Sequence, residues 1–195
     1  MRVLVACEYS GIVRDAFTAK GHYAMSCDLL PTESEGPHYQ GDVMDILNDG
    51  WDLMIAHPPC TYLSNAGARW LYPGGELNEE RYAKGLEAKD LFMTLLNADI
   101  PRICVENPKP SLIYALPKSS QKVQPYEYGH PYSKGTLLWL KNLKPIEPTN
   151  IVPIDGYWCG SYTSKQKSKR VLGKTAKERS KFWKGIAEAM AEQWG

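Results

Sequence analysis

Residues 1–28 read MRVLVACEYSGIVRDAFTAKGHYAMSCD, and this stretch decides the fold. Arg2–Ala6 is a short apolar run closed by the polar turn Cys-Glu-Tyr-Ser-Gly, the pattern of a buried strand. From Ile12 the apolar positions Ile12, Val13, Ala16 and Phe17 recur at helical spacing and stop at Gly21, which predicts a helix. Residues 22–28 resume as a strand that ends on Asp28. Strand, helix and strand in succession form a βαβ unit, and its parallel strands must be covered on both faces.

The alternation continues downstream. Residues 31–41 are polar and rich in Pro and Gly, a loop, after which Asp42 precedes a short helical run. WDLMIA (51–56) is a strand that runs straight into His57-Pro58-Pro59-Cys60. The longest helical pattern spans Asn78 to Asn97, with Tyr82, Leu86, Lys89, Phe92, Met93 and Leu96 spaced by three or four. Ile100–Val105 is a strand ending on Glu106-Asn107-Pro108, and GTLLWL (135–140) is another, expected antiparallel at an edge. Residues 141–174 read as loop, before a closing helix near 176–194. The expected fold class is therefore α/β, Rossmann-like, a mostly parallel sheet with helices on both faces. In such sheets ligands sit at the carboxyl ends of the strands.

At 195 residues the chain suits one domain, 1–195, with a basic Pro/Lys/Ser-rich segment at 141–184. Hydrophobic residues make up 43% and charged residues 23%, which excludes disordered, collagenous and coiled-coil classes. No 18-residue uncharged apolar run occurs, and the amino-terminal run is too short for a signal peptide, so a soluble cytoplasmic protein with no membrane partner is expected. Five scattered cysteines without a CxxC pair fit a reducing compartment and suggest no disulfide framework. The four histidines show no ligand spacing, so no metal site is expected. Residues 161–195 carry nine Lys/Arg against three Glu, a net +6, whereas residues 1–160 sum to −5. The carboxyl-terminal part is thus the candidate anion contact, unless it is a solvated basic face.

Two motifs carry chemistry. Pro58 and Pro59 fix their own φ and keep the preceding residue extended, so Cys60 is presented from a rigid loop at a strand end, as a nucleophile must be. The competing reading makes Cys60 a small buried hydrophobe. Glu106 stands at the tip of a neighbouring strand, where it can serve a ring nitrogen that gains charge, or else cap a turn. Asp28 and Asp42 occupy strand-end positions suited to hydroxyl and amino recognition, with helix capping as the alternative. Tyr126 and Tyr128 read as structural aromatics.

Taken in order, VLVACEYSG, SCD, DLMIAHPPC, CVENP, GHPYSKGTLLWL and KGIAEAMAEQW resemble the cytosine 5-methyltransferases over nearly the whole chain. They look closest to the short phage and prophage proteins of that kind that lack a target-recognition domain. The resemblance implies a class I S-adenosylmethionine-dependent methyltransferase fold and S-adenosyl-L-methionine as cofactor. It implies Cys60 as the nucleophile toward carbon 6 of cytosine and Glu106 as the group holding ring nitrogen 3. Glu8, Tyr9, Ser10 and Gly11 would approach the methionine part of the cofactor, Asp28 its ribose, Asp42 its adenine, and Pro58 the methyl group. His57, Pro59, Asn107 and Lys134 would line the substrate. Two departures stand out: the first turn holds a lone glycine, and the family's second basic residue near the substrate carbonyl is replaced by Thr136. Only about forty residues separate the GTLLWL strand from the closing helix, too few for a separate target-recognition region. The partner implied is DNA, or a cytidine nucleotide. The alternatives are methylation of a free pyrimidine nucleotide and a catalytically inactive nucleic-acid or cofactor binding protein. Methylation of an exocyclic amine fits less well, because the aromatic residue expected after the two prolines is Cys60.

Overall fold

A computed structural model describes residues 1–157 and 180–195. In chain order these form β1 (Arg2–Ala6), α1 (Ile12–Ala19), β2 (Tyr23–Asp28), β3 (His38–Gln40), β4 (Leu53–Ala56), α2 (Glu79–Leu96) and β5 (Arg102–Pro108). They continue with β6 (Gln121–Val123), β7 (Tyr132–Ser133), β8 (Thr136–Lys141), β9 (Gly156–Tyr157) and a closing helix, α3 (Lys184–Trp194). One sheet holds seven strands in the order β3-β2-β1-β4-β5-β8-β6, and β7 and β9 make a small separate ladder. Pairings among β1 to β5 are all parallel, while β8 runs antiparallel to both β5 and β6. This is the sheet of the expected Rossmann-like, class I methyltransferase fold.

The alternation of side chains along each strand sorts the core into two layers. Val3, Val5, Leu53, Ile55 and Cys104 face α1 and α3, where Phe17, Ile186 and Met190 cover them. Leu4, Ala6, Met54, Ala56, Ile103 and Val105 face α2, under Phe92 and Leu95. Both faces are therefore closed, as the uninterrupted apolar strands require. Asn78 caps α2 by accepting from the Arg81 amide at 2.9 Å, and that helix fills the span read from the sequence.

Several elements depart from the sequence reading: β5 runs on past Val105 through Glu106 to Pro108, and β9 lies inside the segment 141–174 read as loop. β3 lies inside the segment read as a loop, because three residues beside β2 suffice to complete a ladder that local pattern does not reveal. β8 is not an edge strand: the short β6 pairs with its outer side. The closing helix begins at Lys184, and residues 181–183 before it are not helical. Of the basic segment, residues 161–179 lie outside the described residues, as do Trp158 and Cys159. Among the described residues no helix is long and apolar enough to cross a membrane.

Arg14 had no place in the sequence reading, yet it holds the loop after β2. Its side chain is fully buried. Its guanidinium donates to Asp15 Oδ1 (2.8 Å), Ser26 Oγ (3.2 Å), Thr32 Oγ1 (3.3 Å), Ser34 Oγ (2.5 Å) and the Glu35 carbonyl (2.9 Å). Replacing Arg14 by Met should remove five hydrogen bonds at once and leave the buried Ser26 hydroxyl and the part-buried loop acceptors each a partner short, with a cost of about 2–4 kcal/mol. Urea unfolding should report it as a lower midpoint at unchanged slope, and a wild-type midpoint would show that the clamp is dispensable.

Candidate active site

The first turn is built around the start of α1. Glu8 is buried, and its carboxylate accepts from the Ser10 hydroxyl (3.0 Å) and from the amides of Val13 (2.8 Å) and Arg14 (3.3 Å). It therefore satisfies amides that a helix start leaves open. Gly11 has φ 75°, and a Cβ there would collide with Ser34 Oγ and the Arg14 guanidinium, so the lone glycine of the turn is required by both conformation and space. Cys7, at φ 58°, bears the left-handed strain without being glycine. Of the residues expected to meet a cofactor here, Glu8 and Ser10 are engaged within the turn itself, while Tyr9 points its hydroxyl to Ser180 Oγ at 3.0 Å.

Asp28 and Asp42 converge on the same edge. Burial, followed by the Asp28 carboxylate, Cys27 and Asp42, pushes the Cys7 thiol up to about 12. Burial and then the same two carboxylates raise Cys27 to about 11. Both aspartates also close local turns: Asp28 Oδ1 accepts from the Leu30 amide (2.9 Å), and Asp42 Oδ1 caps a 3-10 turn at Met44 (3.0 Å). The capping role and the strand-end position thus coexist in each.

The end of β4 joins the two motifs. The His57 amide donates to the Ala6 carbonyl at 2.9 Å, so the ladder reaches the first residue of His57-Pro58-Pro59-Cys60. Pro58 is buried, Pro59 exposed and Cys60 half-buried. Burial and the Glu106 carboxylate raise the Cys60 thiol above its ordinary range, while the Lys134 ammonium pulls it down. Glu106 and Lys134, distant in sequence, thus both act on the Cys60 thiol. His57 joins them through Nδ1, 3.4 Å from Glu106 Oε2, while its Nε2 is buried with no partner.

The segments carrying nucleophile and acid are sewn together. The Asn65 amide donates to the Lys109 carbonyl (2.8 Å) and the Ser111 amide to the Leu63 carbonyl (2.7 Å). Arg81, on α2, donates from Nη2 to the Thr61 carbonyl at 3.1 Å and lies 5.0 Å from the Tyr62 ring centre. No local signal marked Arg81, because its partner is a backbone carbonyl twenty residues away.

Asn107 departs from its expected place at the substrate. It is entirely buried, and neither side-chain polar atom has a partner. Alternation along β5 sets it with Ile103 and Val105 toward α2, on the face opposite Glu106. Thr136 is likewise buried, opposite Pro108 in the sheet. Tyr128 is a core residue, whereas Tyr126 is only half-buried. Among the described residues no group of three His, Cys, Asp or Glu could hold a metal ion.

Residues 180–182 lie across this edge. Besides the Tyr9 to Ser180 contact, Lys181 Nζ meets Glu33 Oε2 at 2.5 Å, and the Phe182 ring packs 4.7 Å from that of His57. The cavity left among Cys7, Glu8, Tyr9, Ser10, His57 and Phe182 measures about 20 Å³, room for one water. Asp28 and Asp42 suit the hydroxyls and amine of an adenosine, but the methionine part of S-adenosylmethionine does not fit beside the first turn while Phe182 covers it.

No protein-family model matches the chain, and no curated protein matches it. Solved structures that share part of its backbone include three methyltransferases. An Escherichia coli prophage protein assigned as a DNA modification methyltransferase superposes with a TM-score of 0.46 at 15% identity, over 78% of this chain and 52% of that one. The Entamoeba histolytica methyltransferase EhMeth gives 0.47 at 14%, over 85% and 61%. The S. pombe Dnmt2 methyltransferase gives 0.44 at 14%, over 74% and 51%. This chain thus spans about half to three fifths of the length of each, and none is similar enough to carry residue roles across.

The electrostatics of Cys60 can be measured directly. A raised thiol is neutral until the pH climbs past its elevated pKa, so alkylation of Cys60 by iodoacetamide, followed by peptide mapping, should accelerate with a midpoint above that of an ordinary thiol. Glu106→Gln should move that midpoint down and Lys134→Met should move it up. Midpoints that ignore both substitutions would separate the three residues.

Proposed function

We propose that this protein is a methyltransferase that uses S-adenosylmethionine to methylate carbon 5 of cytosine in DNA. The observation that supports the reading is that Cys60, held after two prolines at the end of β4, follows the strand paired with β5, which carries Glu106, and that the Glu106 carboxylate and the Lys134 ammonium are near enough to shift its thiol in opposite directions. A thiolate beside a carboxylic acid suits addition to a pyrimidine. Sulfur forms a bond to carbon 6, the electron pair moves toward carbon 5, and a proton shared with Glu106 offsets the charge on ring nitrogen 3. Carbon 5 is then nucleophilic and accepts a methyl group. A water or hydroxide in the site takes the proton from carbon 5, and the electron pair so released re-forms the 5,6 double bond as the bond from carbon 6 to sulfur breaks and the thiolate leaves.

The cofactor supplies the methyl group as an electrophile. This chain's residues supply the rest. Asp28 and Asp42 offer acceptors for its ribose and adenine parts, with residues 180–182 displaced from the first turn. His57 restrains the Glu106 carboxylate through Nδ1. Lys134 favours the thiolate and would meet the pyrimidine carbonyl. The stretch 161–179, outside the described residues, would add phosphate contacts. The 42 residues between β8 and α3 leave little room for a recognition region, which favours a second reading, a free pyrimidine nucleotide as substrate.

Transfer of label from S-adenosylmethionine to plasmid, single-stranded DNA, RNA or cytidine nucleotides should single out DNA. A strand containing 5-fluorocytosine cannot release a proton from carbon 5, so it should leave a covalent adduct on the Cys60 peptide. That adduct should vanish in Cys60→Ser and weaken in Glu106→Gln. Full activity in Cys60→Ser, or an adduct on another cysteine, would overturn the mechanism. S-adenosylhomocysteine should raise the melting temperature, and Asp28→Ala should remove that shift. No shift at millimolar ligand would sink the cofactor assignment.

A further inference from the structure

A second cavity opens beside the nucleophile loop. It measures about 410 Å³, within the range of small-ligand sites, and its lining includes Tyr62, Trp70, Asn78, Glu80, Arg81 and Lys84. Trp70 is 56% exposed, a large aromatic surface for a residue of its size to present to water. Tyr62 carries the Arg81 guanidinium over its ring, and Arg81 Nε is buried without a partner. Lys84 meets Glu80 at 2.5 Å, so the wall holds two cations against one carboxylate. Two chain steps separate Cys60 from Tyr62, at most about 7 Å between their Cα atoms.

We propose that this cavity holds the nucleotide next to the target base on a single unpaired strand, an inference that rests on Cys60 taking a pyrimidine. Aromatic faces interleaved with cations are the recognition chemistry of single strands: bases stack on the rings, and phosphates meet the cations. A base inside a duplex is stacked between its neighbours and presents only its edge, so it cannot lie against Trp70. The cavity volume suits one base with its sugar. Its net positive charge suits one phosphate, which competes with Glu80 for Lys84. Stacking tolerates any base, so this site adds affinity and positions the strand without choosing a sequence.

The test uses fluorescence titration of the whole protein with the trinucleotide TCT, its RNA counterpart UCU, and the mononucleotide dCMP, in parallel with label transfer to the same compounds. Trp70→Ala should weaken trinucleotide binding roughly 5- to 150-fold, the range that one base stack carries, and leave dCMP unchanged. Trp70→Phe should restore most of the affinity, and Lys84→Gln should flatten the salt slope by about one. A preference for TCT or for UCU then says which strand the cavity serves. Unchanged trinucleotide affinity in Trp70→Ala overturns the inference while label transfer keeps the methyltransferase reading intact. Equal losses for dCMP and trinucleotide, or a wild type that binds neither strand, also overturn it. Trp70-dependent strand binding without label transfer supports the cavity and sinks the methyl transfer instead. Melting temperatures matched to wild type keep misfolding out of the comparison.

Discussion

The register of β4 between β1 and β5 is the constraint on which the rest of the molecule depends. Ala56 stands opposite both Ala6 and Val105, and the next amide, His57, still bonds the Ala6 carbonyl. This ladder brings the Pro-Pro-Cys loop and the Glu-Asn pair to one edge. Side chains alternate with a period of two, so a slip of one residue would turn Glu106 toward α2 and bring Asn107 round in its place. Complete burial of β4 on both faces penalises any such slip, because every residue in it packs against a helix layer.

That edge holds more negative than positive groups, and its thiols are kept neutral. Burial opposes the charged form of Cys60, and Glu106 adds to the effect more than Lys134 relieves it. Under the proposed chemistry this has a use. A Glu106 that shares a proton with a docked pyrimidine no longer repels a thiolate, so the nucleophile becomes easier to form when a target is present. The same edge is covered by Phe182 and Lys181, which leave a cavity only large enough for a water. Occupation of the first turn therefore requires that segment to move.

Two arginines from helices secure the loops of the site. Arg14 gathers the chain after β2 and so fixes where Asp28 stands, while Arg81 grips the carbonyl that follows Cys60. Arg14 is multivalent, a role that suits a planar guanidinium because it meets several acceptors at once with little loss of freedom, whereas Arg81 combines one carbonyl with the Tyr62 ring. Arg81 also forms one wall of the aromatic cavity beside the nucleophile, so the residue that positions the loop is shared with a surface open to ligands.

The order of elements, the parallel sheet and the span of α2 were legible in the sequence, because apolar periodicity and capping residues such as Asn78 are local signals. Cys60 was legible as a candidate for a similar reason, because a residue just after a buried strand must lie at a sheet edge; Glu106 was read the same way, but β5 runs on through it to Pro108 and pairs it with Leu138. The short strands β3 and β6 were not, since three residues carry no period and exist only by pairing with neighbours. Nor could local pattern show that Asn107 turns away from Glu106 into the core, that Glu8 is engaged by the start of α1, or that Phe182 lies on His57. Such facts depend on which face of a strand meets which helix and on contacts between residues far apart in the chain. Sequence alone determined which chemical groups stand at the strand ends. The tertiary structure alone decided which of them face one another, because packing, and not spacing along the chain, sets those distances.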